Sequence, residues 1–336
     1  RAESGSLFYA RDFSKGRKVV ERDDEMNRLY AVESAFTLTG SMADHRLRLA
    51  SSHMHAFAAA LASKVTGNAD LGNLAEGLEF PHQEKWLQAC ADDLRHHKGE
   101  CVVVAGAHQP AAVHAIVYAI NEFLGNVGKT VDFVAIESSS ASSIKDLASS
   151  IMGGAIDTLV ILGGNPVYNA PADLEWESLQ KSVDTVVRYG YYVDETSVAA
   201  STHIGATHYL ESWGDARTVD GTIVPVQPMI LPLFNGLTEL EMLARILGEN
   251  ESDPYTLVHA TIDSITSGDT AKAMKQFLHD GLLADSAYPI VDVTFNAANA
   301  SVLSEVSSAL PTLSATNLEI RFATDNKMDD GRFNNN

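Results

Sequence analysis

The chain alternates short apolar runs with longer stretches in which apolar residues recur every three to four positions. Uninterrupted short runs are typical of strands buried on both faces, and the longer stretches are typical of amphipathic helices. This order of strand and helix signals predicts an α/β fold with a parallel, doubly wound sheet. The expected strands cover residues 101–105, 131–136, 158–162 and 185–189, and the expected helices cover residues 111–124, 143–152 and 171–183.

Similar signals flank this central region and predict a division into domains. A strand at 29–32 and a helix at 53–64 precede it, and four elements follow it, at 271–283 (helix), 288–293 (strand), 297–310 (helix) and 318–322 (strand). We expect residues 1–67 to be the N-terminal portion of a first α/β domain, 68–84 to be a linker, and 85–248 to be the main α/β domain. Residues 249–336 form a C-terminal α/β portion that could complete the first domain.

Composition excludes several classes of function. The 336 residues include 24 basic and 44 acidic side chains, a formal net charge of −20. Because binding to phosphates needs Lys and Arg, this balance argues against a nucleic-acid partner. No apolar run approaches about 18 residues, so no direct membrane insertion is predicted. Cys90 and Cys101 are too few for a four-cysteine iron–sulfur cluster. The polar run at the end indicates a piece of a longer protein, so any cluster would lie outside it.

Short catalytic motifs give no assignment. The histidine pairs lack the spacing of known metal motifs, and the sequence contains no G-x-S-x-G, G-x-G-x-x-G or P-loop pattern. We therefore predict no catalytic residue and no metal ligand within the chain.

A glycine pair follows the strongest predicted strand and gives the first candidate site. Ligands of open α/β sheets bind beyond the carboxyl ends of the strands, where glycines let backbone N–H groups approach an anion. The same pattern also suits a tight turn that needs positive φ, and the sequence leaves both interpretations open. The residues concerned are Gly163, Gly164, Asn165 and Pro166.

A long polar segment after the next strand gives the second candidate. Residues 193–215 are rich in acids, histidine and aromatic side chains, and binding residues concentrate in loops of this kind. We expect a ligand site or an interface there, and the alternative is a polar network that fixes a long crossover. The candidate residues are Asp194, Glu195, Thr196, His208 and Glu211.

A weak internal repeat connects this segment with the N-terminal region. Val32-Glu33-Ser34 is followed by hydroxyl residues and then by Ala43-x-His45-x-Leu47. Val193-Asp194-Glu195-Thr196 is likewise followed, about a dozen residues on, by Ala206-x-His208-x-Leu210. The repeat aligns Glu33 with Asp194 as the acid after a strand end, and it gains weight only with the resemblance described next.

With these motifs the chain resembles the molybdopterin oxidoreductase family. Members of that family show a hydrophobic strand that ends in a G-x-N-P motif. A later strand leads to a loop with an E-T motif, and this loop is followed by a segment that has a Glu immediately after it. Longer matches resemble the molybdopterin-like region of the large iron–sulfur subunit of alternative complex III. They lie at residues 26–33, 37–40, 43–47, 159–174, 208–217 and 330–335.

The resemblance implies Rossmann-like domains and a place in a quinol-oxidising respiratory complex. The chain would lie on the periplasmic side of the inner membrane as a peripheral part, with the other subunits of the complex as partners. In that subunit the molybdenum site is considered vacant, so the candidate residues would line a vestigial cofactor cleft. Glu33 and the run Ala50-Ser51-Ser52 stand where catalytic relatives carry residues that help to hold the pterin nucleotide. An acid near the pyrophosphate position would oppose its binding.

Two other functions stay open at this stage. One is a competent bis-molybdopterin guanine dinucleotide oxidoreductase whose metal ligand and iron–sulfur clusters lie outside this chain. The other is a free-standing nucleotide-binding module that uses the glycine pair. The favoured hypothesis is a structural and assembly role without any cofactor bound in this chain.

Overall fold

A computed structural model describes residues 5–73, 83–136, 141–293, 310–322, 324, 328, 329 and 331. The chain divides into two compact units. Unit 1 comprises Arg1–Val134 and Ile290–Ala323, and unit 2 comprises Ala135–Pro289 and Thr324–Asn336. The division into 1–67, 85–248 and 249–336 stays a prediction, and most of the expected linker at 68–84 lies outside the described residues.

Unit 1 combines a two-stranded parallel sheet with a helical core. Strand β1 pairs with β2 in a register that places Tyr30 beside His45 and Glu33 beside Arg48. Helices α3 and α6 pack closely because α3 presents alanines, such as the fully buried Ala59 and Ala62. The elements are α1 (Ser6–Lys15), β1 (Tyr30–Glu33), α2 (Leu38–Met42), β2 (His45–Arg48), α3 (Met54–Thr66), α4 (Ala69–Asn73), α5 (Gln83–His96) and α6 (Ala111–Phe123).

Several expected strands of unit 1 are wrong. Residues 101–105 form no strand, because the buried side chain of Asn121 takes the place of a neighbouring strand. Its Oδ1 accepts from the Val103 N–H at 3.0 Å, and its Nδ2 donates to the Val103 carbonyl at 2.8 Å. Residues 131–136 and 288–293 carry only isolated bridges, and 318–322 form no strand. Residues 297–309 of the expected helix at 297–310 lie outside the described residues.

Unit 2 contains a three-stranded parallel sheet in the order β3-β4-β5 and an antiparallel pair, β6 and β7. The apolar run at 158–162 and its successor at 185–189 are confirmed as neighbouring strands. The elements are α7 (Ile144–Met152), β3 (Thr158–Leu162), α8 (Pro166–Asn169), α9 (Trp176–Lys181), β4 (Thr185–Gly190), α10 (Glu195–Val198), β5 (Thr202–Gly205), β6 (Gly214–Arg217), β7 (Ile223–Val226), α11 (Glu239–Leu247), α12 (Pro254–Ile265) and α13 (Thr270–Asp280).

The expected helix at 171–183 is interrupted. A 3₁₀ turn at Ala172–Leu174 ends at Glu175, whose φ of 46° lies in the left-handed region, and α9 begins only at Trp176. The left-handed residue breaks the helical path, so Pro171 does not start a continuous helix.

The fold is therefore mixed α/β with small parallel sheets, in agreement with the coarser part of the expectation. A doubly wound Rossmann-like sheet stays a prediction. Within the described ranges, no helix is both long and apolar enough to cross a membrane.

Candidate functional site

The glycine pair turns the chain at the carboxyl end of β3. Gly163 and Gly164 have φ of 66° and 67°, and nothing lies within 4 Å of an added Cβ at either position. Glycine is thus favoured here by backbone conformation and not by lack of space. The Gly163 N–H donates to the Tyr189 carbonyl at 3.0 Å and holds the start of the turn against β4.

Asn165, the next residue, connects this turn to the start of α10. Its Nδ2 donates to Glu195 Oε2 at 2.7 Å, and its Oδ1 accepts from Thr196 Oγ1 at 2.6 Å. Thr196 Oγ1 also accepts from the Val167 N–H at 3.1 Å. The structure therefore brings together three of the residues that the sequence singled out from two separate segments.

A buried layer lies behind this contact. Thr196 and Gln180 are both fully buried. Gln180 Nε2 donates to the Thr196 carbonyl at 2.9 Å, and Trp176 Nε1 donates to Gln180 Oε1 at 3.2 Å. Sequence reasoning missed Gln180, because a glutamine near the end of an amphipathic helix gives no signal of burial.

Asp194 forms a separate ion pair with Arg188 of β4. Arg188 Nη2 lies 2.8 Å from Asp194 Oδ2, and the arginine side chain is 4% exposed. Asp194 also caps α10, since it accepts from the N–H and the hydroxyl of Ser197, each at 2.9 Å. Burial raises the pKa of Asp194, but the hydrogen bonds from Arg188 and Ser197 outweigh it, and the net shift is downward. An arginine inside a buried strand run was the available signal for this pair.

Ser197 contacts both an acid and a histidine, but the arrangement differs from a catalytic triad. Its hydroxyl lies 2.9 Å from Asp194 Oδ1 and 3.0 Å from His203 Nδ1. In a triad the histidine stands between the serine and the acid, and the acid orients the base. Here the serine stands in the middle and is buried, which indicates a structural role.

His208 and Glu211 form a second polar group after β5. Around the 3₁₀ turn Tyr209–Glu211, His208 Nδ1 accepts from the Leu210 N–H at 3.2 Å and Glu211 Oε2 accepts from the His208 N–H at 3.0 Å. Glu211 Oε1 accepts from the Leu233 N–H at 3.1 Å. No hydrogen bond between described residues joins this pair to Asn165, Glu195 or Thr196, so these candidates lie in separate hydrogen-bonded groups.

The exposed side of both groups is acidic. The hydrogen bond from Asn165 lowers the pKa of Glu195, so this exposed carboxylate stays ionised to a lower pH than an ordinary glutamate. Burial, and after it the charges of Glu239 and Glu211, raise the pKa of Tyr191. An anionic nucleotide would meet negative charge here, so the residues do not fit a pyrophosphate group.

The two cysteines lie in unit 1 and stay protonated at neutral pH. Both are free thiols. Burial, with a smaller contribution from Asp93, raises the pKa of Cys90 to about 12, and burial also raises the pKa of Cys101. The thiolate is the reactive nucleophile, and burial disfavours this form at both positions. In the part of the chain that the structure describes, no cluster of three or more His, Cys, Asp or Glu could hold a metal ion.

Comparison with known proteins adds no family. No protein-family model matches the chain, and a search of curated proteins gives no significant match.

Proposed function

We propose that this chain is the molybdopterin-oxidoreductase-like part of a respiratory quinol:acceptor oxidoreductase subunit, and that it serves in structure and assembly without binding molybdenum cofactor. The observation that carries the proposal is the pairing of Asn165 with Glu195 and Thr196. The side-chain amide of Asn165, at the carboxyl end of β3, accepts a hydrogen bond through its oxygen and donates one through its nitrogen. Both partners lie on the neighbouring loop. A ligand entering there would first have to break bonds within the protein.

The charge of the same surface supports this hypothesis. A pterin dinucleotide carries phosphate groups, which bind where Arg, Lys or free backbone N–H groups converge. The two groups present the carboxylates of Glu195 and Glu211 instead, and Arg188 is already paired with Asp194. The cleft is therefore proposed as vestigial.

An apolar segment next to Glu211 is the proposed assembly surface. Met229, Leu231 and Phe234 are 76%, 85% and 89% exposed. The segment is held in place by its backbone, through the Met229 N–H to the Leu210 carbonyl at 2.7 Å and the Leu233 N–H to Glu211. Exposed apolar clusters of this kind mark protein interfaces, and we propose another subunit of the complex as the partner.

The remaining parts of the hypothesis come from the resemblance described above. We propose that the small parallel sheets belong to Rossmann-like domains and that the protein is peripheral, on the periplasmic side of the inner membrane. Iron–sulfur clusters would be carried outside this chain.

The cofactor part is tested by elemental and pterin analysis of the full-length protein from its own host. We expect no stoichiometric molybdenum, tungsten or pterin. Stoichiometric metal together with oxidised-pterin fluorescence would contradict the proposal and favour the competent oxidoreductase. Tight binding of a guanine nucleotide without metal would favour the nucleotide-binding module.

The assembly part is tested by replacing Leu231 and Phe234 with serine in the full-length subunit. Because both side chains are exposed, we expect the isolated subunit to keep its stability and the complex to lose assembly. The matched control is Trp213→Ala, since Trp213 packs against the core of unit 2 and contacts Tyr255. That change should lower the stability of the isolated subunit by roughly 3 kcal/mol. Normal assembly of the serine variant would place the interface elsewhere.

A further inference from the structure

Four aromatic rings form a continuous row on the surface of unit 2, from the end of β4 to the turn after β5. The ring centroids of Tyr192 and Tyr191 are 6.4 Å apart, and those of Tyr191 and His208 are 5.9 Å apart. Those of His208 and Tyr209 are 4.2 Å apart. All three tyrosines are more than half exposed. Because the face of an aromatic ring carries partial negative charge, a row of exposed rings favours contact with a cation.

Two carboxylates accompany this row. Glu211 belongs to the same 3₁₀ turn as Tyr209, and Glu239 lies in the first turn of α11. Burial raises the pKa of Tyr191, and the charges of Glu239 and Glu211 raise it further, so both carboxylates act on this ring. A cation placed over the rings would therefore be attracted by their faces and by two full negative charges.

This part of unit 2 contains little positive charge of its own. Between residues 189 and 244 the sequence has seven acidic residues and a single basic one, Arg217. That arginine is engaged within its own hairpin, where its Nη1 donates to the Gly221 carbonyl at 2.8 Å. No ion pair between described residues involves Glu211 or Glu239. The cation that would match this surface must therefore come from another molecule.

The row of rings is continuous with the proposed assembly surface. The N–H groups of Met229 and Ile230 both donate to the Leu210 carbonyl, at 2.7 and 3.2 Å. Leu210 lies in the turn that carries Tyr209 and Glu211. An apolar area and an anionic aromatic area are thus side by side. A partner that covers both must present apolar side chains next to Lys or Arg.

We propose that the surface formed by Tyr191, His208, Tyr209 and the adjoining apolar segment binds a basic amphipathic segment of a partner protein, with a cationic side chain over the tyrosine rings. The inference rests on the assembly role proposed above and specifies the chemistry of the partner. Arginine suits this place better than lysine, because a planar guanidinium can stack on a ring and also donate to a carboxylate.

The first test measures the binding of synthetic amphipathic helical peptides to the full-length subunit by fluorescence anisotropy at constant ionic strength. One peptide is built from leucine and arginine, the second from leucine and lysine, and the third from leucine and glutamate. We expect the arginine peptide to bind most tightly, the lysine peptide several-fold more weakly, and the glutamate peptide not to bind. Binding of the glutamate peptide as tight as that of the arginine peptide would overturn the proposal.

Matched variants decide where the peptide binds, since the whole chain is acidic. Tyr191→Leu together with Tyr209→Leu keeps apolar side chains in place and removes two ring faces, so the affinity for the arginine peptide should fall roughly tenfold. The control is Tyr9→Leu, an exposed tyrosine of unit 1, which should bind as the wild type does. Equal affinities of the two variants would overturn the proposal.

A charge variant gives an independent measurement if the double tyrosine variant does not fold. Glu239→Gln removes an exposed carboxylate that takes no part in the cap of α11, and it should weaken binding of the arginine peptide several-fold. Glu25→Gln, at an exposed position of unit 1, changes the net charge equally and should have no effect. Equal affinities of these two variants would also overturn the proposal.

Complex assembly in the same variants separates this inference from the assembly role on which it rests. Normal assembly of the tyrosine variant and of Glu239→Gln, with assembly lost only in the Leu231 and Phe234 serine variant, would keep the assembly role and overturn the basic partner. Normal assembly of every variant, with peptide binding that still depends on the tyrosines, would support the basic partner and refute the assembly role. Binding to phosphatidylcholine vesicles that persists in place of peptide binding would assign the surface to a membrane and overturn the proposal.

Discussion

The two units contain the same small motif, a strand followed by a short helix and a parallel strand, but they place its charges in opposite order. In unit 1 the motif is β1–α2–β2, and the acid Glu33 on the first strand pairs with Arg46 on the second at 2.6 Å. In unit 2 it is β4–α10–β5, and the base Arg188 on the first strand pairs with Asp194 at the helix start. The shared backbone path does not determine which charge is built into the strand.

The difference in burial decides what each pair contributes. Arg188 and Asp194 are 4% and 17% exposed, whereas Arg46 and Glu33 are 25% and 12% exposed. A buried arginine cannot turn to water when its partner is removed, and a half-exposed one can. We therefore expect unit 2 to depend on its ion pair more strongly than unit 1 does.

The largest effect is expected from Asp194→Ala. The substitution leaves the Arg188 charge buried and unpaired and also removes the cap of α10, so unit 2 should lose about 3–5 kcal/mol of stability. Urea titration gives the free energy of unfolding, and amide exchange in β4 and β1 follows the two units separately. Adding Arg188→Met should recover part of the loss, because it removes the unpaired charge. If Asp194→Ala costs no more than the corresponding change at Glu33, the comparison fails.

This comparison also shows how far the sequence could be interpreted. The internal repeat placed Glu33 opposite Asp194, but in the structure Thr37 and Asp194 are the corresponding helix caps. In the first copy the helix cap therefore lies four residues after Glu33, the residue that the repeat had aligned with Asp194. Sequence letters could suggest a repeat, but the place of the cap depends on where each strand ends, which is set by pairing with a distant strand.

The same limit applies to other elements. Apolar runs at 158–162 and 185–189 and the helices near 111–124 and 143–152 were predictable, because their periodicity is local. The run at 101–105 looks no different, yet the Asn121 side chain takes its backbone partners. In the candidate site, Asn165, Glu195 and Thr196 could be named from their motifs. Arg188 was signalled only by its place inside an apolar strand run, and Gln180 gave no signal, since its burial follows from packing between distant segments.

Intermediate effects are expected where each ion pair presses against a glycine. An added Cβ on Gly40 would lie 1.7 Å from Glu33 Oε1, and one on Gly190 would lie 2.6 Å from Arg188 Nη2. Gly190→Ala should cost about 1–3 kcal/mol, because the buried guanidinium has little room to move. Gly40→Ala should cost less, since the Glu33 carboxylate can move toward solvent and alanine favours the helix by roughly 0.5–1 kcal/mol.

A double substitution sharpens this prediction. In a Glu33→Ala background, Gly40→Ala meets no carboxylate and should stabilise unit 1 through helix propensity alone. Unfolding titrations of the two single variants and the double variant measure the coupling between the positions. Equal effects of Gly40→Ala with and without the Glu33 carboxylate would show that the close approach has no energetic consequence.

The smallest effect is expected from Glu33→Gln, and its pH dependence identifies the cause. Burial raises the pKa of Glu33, but hydrogen bonds from Thr37 and Arg46 lower it by more. The pKa of Glu33 therefore lies below its ordinary value of 4.5. A carboxyl whose pKa is lower in the folded than in the unfolded protein stabilises the fold at pH values above the unfolded pKa. This contribution is lost as the pH falls through the folded pKa.

At pH 7 the wild type should therefore be more stable than Glu33→Gln by about 1 kcal/mol, as for a partly exposed pair. The difference should shrink as the pH falls below about 4, because protonated Glu33 and glutamine are both neutral. Urea titrations of both proteins between pH 7 and pH 3 measure it. A difference that stays constant over this range would assign the loss to shape and not to charge, and the contrast between the two ion pairs would then rest on packing alone.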